Sequence, residues 1–163
     1  MATIALVRID SRLIHGQVVT KWLRQTNANR VVVVDDTLAK DPFMSRIYMM
    51  AAPPGIKVQM MTVDDSVSSW NADQFGSGSV LVLFKDTKSA REAWKKGFPI
   101  TRLQVGGLTG APGRKVVFQN ITLNQEDTDD LVAMQEGGVE VYFQTIPEDT
   151  PKMLAAVLKN LKF

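Results

Sequence analysis

Arg8, Asp10, Arg12 and His15 lie within eight residues of one another, and His15 is the only histidine in the 163-residue chain. The same stretch, Leu6 to Val19, carries the change from a short apolar run to a helical pattern. The first turn of a helix presents unpaired N–H groups and partial positive charge, which suits a bound phosphate. That field disfavours an imidazolium, so a histidine there tends to stay neutral, with a ring nitrogen free to act as nucleophile. Gly16 leaves the approach to the ring uncrowded. Arg8 and Arg12 could offer forked donors to phosphate oxygens. Asp10 could cap the helix, or hold an arginine or the imidazole. One reading unites these roles: a phosphorylated histidine in a loop built for phosphoryl groups. The plainer alternative is a satisfied surface histidine beside solvated arginines. The arginines sit at the wrong end of a helix for its macrodipole, which weighs against it. Residue spacing leaves both open.

The elements that must position these groups read as follows. Ile4 to Val7 is a short buried strand ending near Arg8, and from Gly16 onward Val18, Val19, Trp22 and Leu23 form one helical stripe. Val31 to Val34 is a strand covered on both faces, followed by a helix over about Pro42 to Met50 that Pro53-Pro54-Gly55 stops. Strands are expected over Ile56 to Val63, Val80 to Phe84, Leu103 to Val105 and Val139 to Phe143, with short strands between Val116 and Leu123. Helices are expected from Asp64 to Trp70, from an Asp86 or Thr87 cap to Lys96, from an Asn124 cap to Glu136, and from Pro147 to about Asn160. The alternation predicts an α/β fold: one domain over residues 1–163, an open, mostly parallel twisted sheet with helices on both faces. Ligands of such sheets sit beyond the carboxyl ends of the strands, so the loop between the first strand and first helix falls where a site belongs.

Other chemistries are weaker. With no cysteine, disulfides, thiol catalysis and cysteine-ligated metals are excluded. A formal charge of +2 does not argue for nucleic acid, and no aromatic-basic array forms a nucleic-acid platform. No run reaches the roughly 18–20 apolar residues of a membrane span, and no secretory signal is evident, so the chain reads as cytoplasmic. The basic excess before Asp35 (Arg8, Arg12, Lys21, Arg24, Arg30) could dock an acidic partner or simply face solvent. Asp35 and Asp36 compare with the acidic pair of a receiver domain, which makes a regulatory phosphoacceptor or an anion-binding module the competing class. A hard cation there would need several converging oxygens. Val105 to Gly110 lacks the spaced glycines and Lys-Ser/Thr ending of a P-loop, and its glycines fit tight turns or close approach to the histidine loop.

The string Arg8-Ile9-Asp10-Ser11-Arg12-Leu13-Ile14-His15-Gly16-Gln17-Val18 closely resembles the active-site segment of IIB components of the mannose/fructose/sorbose family of the bacterial sugar phosphotransferase system. The similarity continues through Trp22, Arg30 to Asp36, Ala51 to Gly55, Leu81 to Phe84 and Val105 to Gly107. The resemblance implies a relay in which a phosphohistidine of IIA donates to His15, which passes the group to the sugar carried by membrane IIC and IID components. It implies Nδ1 as the accepting atom. His15 would be the nucleophile and Arg12 the stabiliser of transferring charge. Arg8 and Asp10 would shape the loop, Ser11, Leu13, Ile14 and Gly16 would complete it, and Gln17 would either orient loop or partner groups or simply cover the helix start. No metal, nucleotide or other cofactor is implied, because the donor phosphohistidine already has high transfer potential. The chain carries no fused IIA domain, so docking would be intermolecular, with recruitment to the inner face of the membrane through IIC and IID. Homodimers are among the family's assemblies. No residue reads the sugar.

Overall fold

Four consecutive valines, Val31 to Val34, alternate between two separate apolar clusters: Val31 and Val33 face one, Val32 and Val34 the other. A strand buried on both faces needs a helical layer on each side, and this pattern accounts for the architecture of the computed structural model. It describes the backbone of residues 1–163 and every side chain except that of Gln17. In chain order the elements are β1 (Thr3–Asp10), α1 (Gly16–Thr26), β2 (Arg30–Val34), α2 (Asp36–Ala39), α3 (Pro42–Met50), β3 (Lys57–Met61) and α4 (Val63–Asp73). Then come β4 (Ser79–Phe84), α5 (Thr87–Lys95), β5 (Arg102–Gly107), β6 (Lys115–Phe118), β7 (Ile121–Leu123), α6 (Gln125–Glu136), β8 (Glu140–Phe143), β9 (Lys152–Met153) and α7 (Leu154–Leu158).

The sheet order is β3-β2-β4-β1-β5-β8-β9, parallel throughout except where β9 runs against β8, and β6 with β7 forms a separate antiparallel pair. One face packs on α1, α2 and α3 through Val19, Trp22, Leu23, Leu38 and Met44. The other packs on α4 to α7 through Val63, Ala90, Ala93, Leu131 and Val157. Strand order reverses at β1, so the β1–α1 loop opens at the switch point of an α/β sheet.

Helix starts follow their caps. Asp86 accepts the Ser89 N–H at 2.8 Å, and Asn124 and Asp127 form a reciprocal capping box. Three expectations are corrected. β1 does not end near Arg8 but runs on to Asp10, because both charges find partners inside the protein. Gly106 and Gly107 belong to β5 rather than to a turn beyond it. The helix expected from Pro147 forms only over Leu154–Leu158. Before it, the Asp149 carboxylate accepts the N–H groups of Thr145 and Ile146, which ties the chain into a turn, and Lys152–Met153 then pairs with β8.

Candidate active site

β1 carries Arg8 and Asp10 to the carboxyl edge of the sheet, and both are fully buried. A buried ion pair is tolerable only when most of its remaining donors and acceptors are satisfied, and among the described residues Arg8 Nε alone of the guanidinium nitrogens finds no partner. Arg8 Nη2 donates to Asp10 Oδ2 at 3.2 Å and to the Thr145 carbonyl at 3.1 Å. Nη1 donates to the Gln144 carbonyl at 3.1 Å and to the Gln104 side chain. The Trp22 ring stacks 5.5 Å from the guanidinium carbon and donates its own N–H to the Thr145 carbonyl. Burial pushes the Arg8 pKa down from the usual guanidinium value, against the upward pull of Asp10. Arg8 therefore offers no fork to a phosphate. It is a structural cation inside the fold, and this corrects the expectation that it contacts phosphoryl oxygens.

Asp10 is the hub. Its Oδ2 lies 2.9 Å from His15 Nε2, its Oδ1 accepts the Arg12 N–H at 3.0 Å, and Arg12 Nε lies 3.6 Å from Oδ1. Burial raises the Asp10 carboxyl, but the His15 bond, the Arg8 charge and the Arg12 amide outweigh it, and the net shift is downward. Of the roles open to Asp10, the structure takes the hold on imidazole and arginine. It does not cap α1, whose N-cap position is His15 itself with no side-chain cap.

Between these anchors the loop is short and pinned. Ser11 N–H donates to the Gly107 carbonyl at 2.8 Å, and the Ser11 hydroxyl accepts the Thr109 N–H at 3.2 Å. Leu13 is wholly buried with a left-handed φ of 56°, uncommon for a residue with a Cβ. Ile14 packs on the same apolar cluster as Leu13. Gly16 has φ 46° with open space around its Cβ position, so its glycine serves the backbone conformation. The role expected of Gln17 concerns a side chain outside the described residues. His15 is one-fifth exposed and the Arg12 side chain half-exposed. The ring thus stands at the surface with Nε2 committed to Asp10. A carboxylate accepts, so in the neutral ring this contact puts the proton on Nε2 and the lone pair on Nδ1. Beside the loop a cleft of about 230 Å³ is lined by Arg12, Gly106 to Gly110, Asn120, Ile121 and Thr145.

Gln104, Trp22 and the Gln144 and Thr145 carbonyls were not among the residues expected at the site. The sequence signals for them are Gln104, a polar residue inside the strand expected over Leu103 to Val105, and Trp22, which lies among the segments that carry the resemblance. Asp35 and Asp36 are used elsewhere: Asp35 accepts the Leu38 N–H at 3.0 Å as a helix cap, and Asp36 accepts the Val63 N–H at 2.8 Å. Among the described residues no group of three or more Asp, Glu or His side chains is placed to hold a metal ion.

A buried aspartate thus holds a surface histidine beside a half-exposed arginine. A sequence model described as the sorbose subfamily IIB component of the phosphotransferase system matches residues 4–163. The chain belongs to this family. It is 30% identical over 158 residues to the sorbose-specific EIIB component of Lacticaseibacillus casei, covering 97% of this chain and 96% of the relative. It is also 30% identical over 150 residues to the mannose-specific EIIAB component of Escherichia coli K12, covering 92% of this chain and 46% of that longer protein. The crystal structure of manxB from Thermoanaerobacter tengcongensis superposes with a TM-score of 0.91 at 37% identity, covering 98% and 97% of the two chains. This IIB chain is therefore a phosphoryl-transfer protein of a sugar phosphotransferase system. Among its described residues no helix is long and apolar enough to cross a membrane.

Proposed function

We propose that this IIB component accepts a phosphoryl group on Nδ1 of His15 from a phosphohistidine of a IIA protein and passes it to a sugar held by the IIC and IID membrane components. The observation that carries the reading is the 2.9 Å contact between His15 Nε2 and the buried Asp10 carboxylate, which leaves Nδ1 as the nucleophilic nitrogen.

The Nδ1 lone pair attacks phosphorus as the P–N bond of the donor breaks and the donor ring departs with that electron pair, neutral and carrying its own N–H. The His15 ring becomes cationic, its Nε2 proton held against Asp10, whose charge offsets it. Arg12, half-exposed beside the ring, meets the spread charge on the equatorial oxygens. The uncapped amides at the start of α1 add donors. In the second step the P–N bond breaks, a P–O bond forms to the sugar hydroxyl, and the hydroxyl proton leaves to a base in the membrane partner. The His15 ring returns to its neutral form. The chain works on the cytoplasmic side of the membrane as one unit spanning residues 1–163.

The test is labelling by a reconstituted mixture of phosphoenolpyruvate, enzyme I, phosphocarrier and cognate IIA, with the modified residue read by mass spectrometry. An acid-labile, alkali-stable phosphoryl group on His15, absent from His15→Ala, is the expected result. A label on Asp35 or Asp36, or none, overturns the relay.

A further inference from the structure

Of the four acceptors that Arg8 finds inside the fold, only Asp10 carries charge; the others are the Gln104 side chain and the Gln144 and Thr145 carbonyls. A guanidinium only donates, so Gln104 turns its Oε1 to Arg8 and its Nε2 away. That Nε2 lies 3.4 Å from Gln144 Oε1 and 3.5 Å from the Tyr142 hydroxyl. Gln144 is oriented in turn, because its Nε2 donates to the Asp149 carbonyl at 3.0 Å. One directed series therefore runs from the Asp149 main chain through Gln144, Gln104 and Arg8 to Asp10 and His15. Two carboxamides stand in it where carboxylates would accept from Arg8 equally well. Burial pushes the Tyr142 hydroxyl up from its usual value, so it too stays uncharged.

At the other end of the series, Asp10 Oδ2 meets both Arg8 Nη2, at 3.2 Å, and His15 Nε2, at 2.9 Å. Arg8 and a cationic imidazole would compete for that one oxygen. The balance matters to a nucleophile, because a second ring proton would take up the Nδ1 lone pair. With Gln104 neutral, the charges of Arg8 and Asp10 offset each other. A carboxylate at position 104 would leave one negative charge in excess, and the ring would hold its second proton to higher pH. The remaining charged groups packed about the series bring no net charge. They are Arg12, 3.6 Å from Asp10 Oδ1; Arg102, stacked on Tyr142 and paired with Glu140; Lys21, paired with Glu148; and Asp149, which stays anionic as it accepts the Thr145 and Ile146 N–H groups.

We infer that Gln104 is a positioning residue of the phosphoryl relay. As an uncharged acceptor it fixes Arg8 without adding charge, so Asp10 orients the imidazole through Nε2 and leaves Nδ1 its lone pair. This rests on the relay reading above. Gln104 is wholly buried and acts only through Arg8 and Asp10.

The experiment uses the full chain as wild type, Gln104→Glu and Gln104→Met. Single-turnover labelling of His15 is followed across pH with phospho-IIA and, separately, with phosphoramidate, a small donor that needs no docking. Each rate is taken relative to wild type at the same pH, which removes the titration of the donor. His15 is the only histidine, so a nitrogen-15 spectrum of the ring has one source. With both donors Gln104→Glu should lose about ten-fold at low pH and nothing at high pH, the mark of an acid limb moved up by about one unit. Its spectrum should show the doubly protonated ring persisting over the same interval. Gln104→Met adds no charge and should leave the limb in place. With Arg8 loosened it should slow labelling about ten-fold at every pH, as a misaligned nucleophile does. Its neutral ring should show Nδ1–H beside Nε2–H. A purely structural role would lower the urea midpoints of both variants and move neither profile nor spectrum, and that result overturns the inference. A fall in Gln104→Glu that is equal at every pH overturns it too. In both cases labelling of wild-type His15 by phospho-IIA leaves the relay standing. A wild-type chain that phosphoramidate labels and phospho-IIA does not overturns the relay, and this role with it.

Discussion

Gly106 shows how tightly the interior of the site is built, and Gly106→Ala is the sharpest test of it. A Cβ at this position would fall 1.9 Å from Arg8 Cζ and 2.2 and 2.3 Å from its two terminal nitrogens, where no real Cβ sits. Arg8 is wholly buried and the clash is with its rigid planar end, so it must leave its place over β5. It would then give up its bonds to Gln104, to the Gln144 and Thr145 carbonyls, and to Asp10. Breaking one side of a buried ion pair costs about 3–5 kcal/mol. That is a large part of the roughly 5–15 kcal/mol by which a domain is stable. For a chain of this size a loss near 4 kcal/mol corresponds to a fall in Tm of about 8–16 °C. Thermal and urea unfolding measure it directly. Gly110→Ala is the control: its nearest neighbour would be Thr122 Cγ2 at 3.8 Å, its φ is not left-handed, and the change should stay within about 0.5 kcal/mol. A Gly106→Ala protein melting within 2 °C (about 1 kcal/mol or less) of wild type would show that Arg8 is not held as described.

Three further outcomes follow from the same geometry. The Asp10 carboxyl is depressed in the folded state, so its stabilisation is complete above the unfolded value near 4 and is lost as pH falls through the folded-state value. Urea midpoints from pH 7 to pH 3 should fall less steeply in Asp10→Asn, whose stability at pH 7 is already lower. Arg12→Ala should slow acceptance from phospho-IIA by about 100-fold, with Arg12→Lys restoring only part, as single-turnover kinetics would record. Because its side chain is half-exposed, unfolding midpoints should be unchanged. Asn124→Ala removes one half of the α6 capping box and should cost about 1 kcal/mol in urea unfolding without altering transfer rates.

Much of the fold was legible because local signals and global burial agree. Val31 to Val34 and Val80 to Phe84 are continuous apolar runs, and both are central strands with complete burial. Asp86 and Asn124 announced their helices through side-chain capping, which acts within three residues. What escaped depends on partners far along the chain. Arg8 reads as the end of a strand because a charge normally seeks water, and only Gln104, Gln144 and Thr145, roughly one hundred residues or more away, make its burial tolerable. The division of roles between the two arginines was hidden for the same reason. Spacing offers both to the phosphate, and the fold takes one inward and leaves the other half-exposed. The shortened terminal helix is a different case, since Asp149 and Pro151 are local signs of a turn, and the Asp149 carboxylate closes one ahead of α7.

Leu13 sits at the midpoint of the histidine loop, and its burial divides five residues into two spans of two: Ser11 and Arg12 on one side, Ile14 and His15 on the other. Spans so short have little room to wander, and the entropy of ordering them was lost when the domain folded rather than at each encounter. A carrier that must meet two unlike partners in every cycle gains speed from this. Neither collision has to wait for a segment to organise, so association can approach the limit set by diffusion and orientation. The pace of sugar uptake would then be governed by how quickly spent complexes come apart.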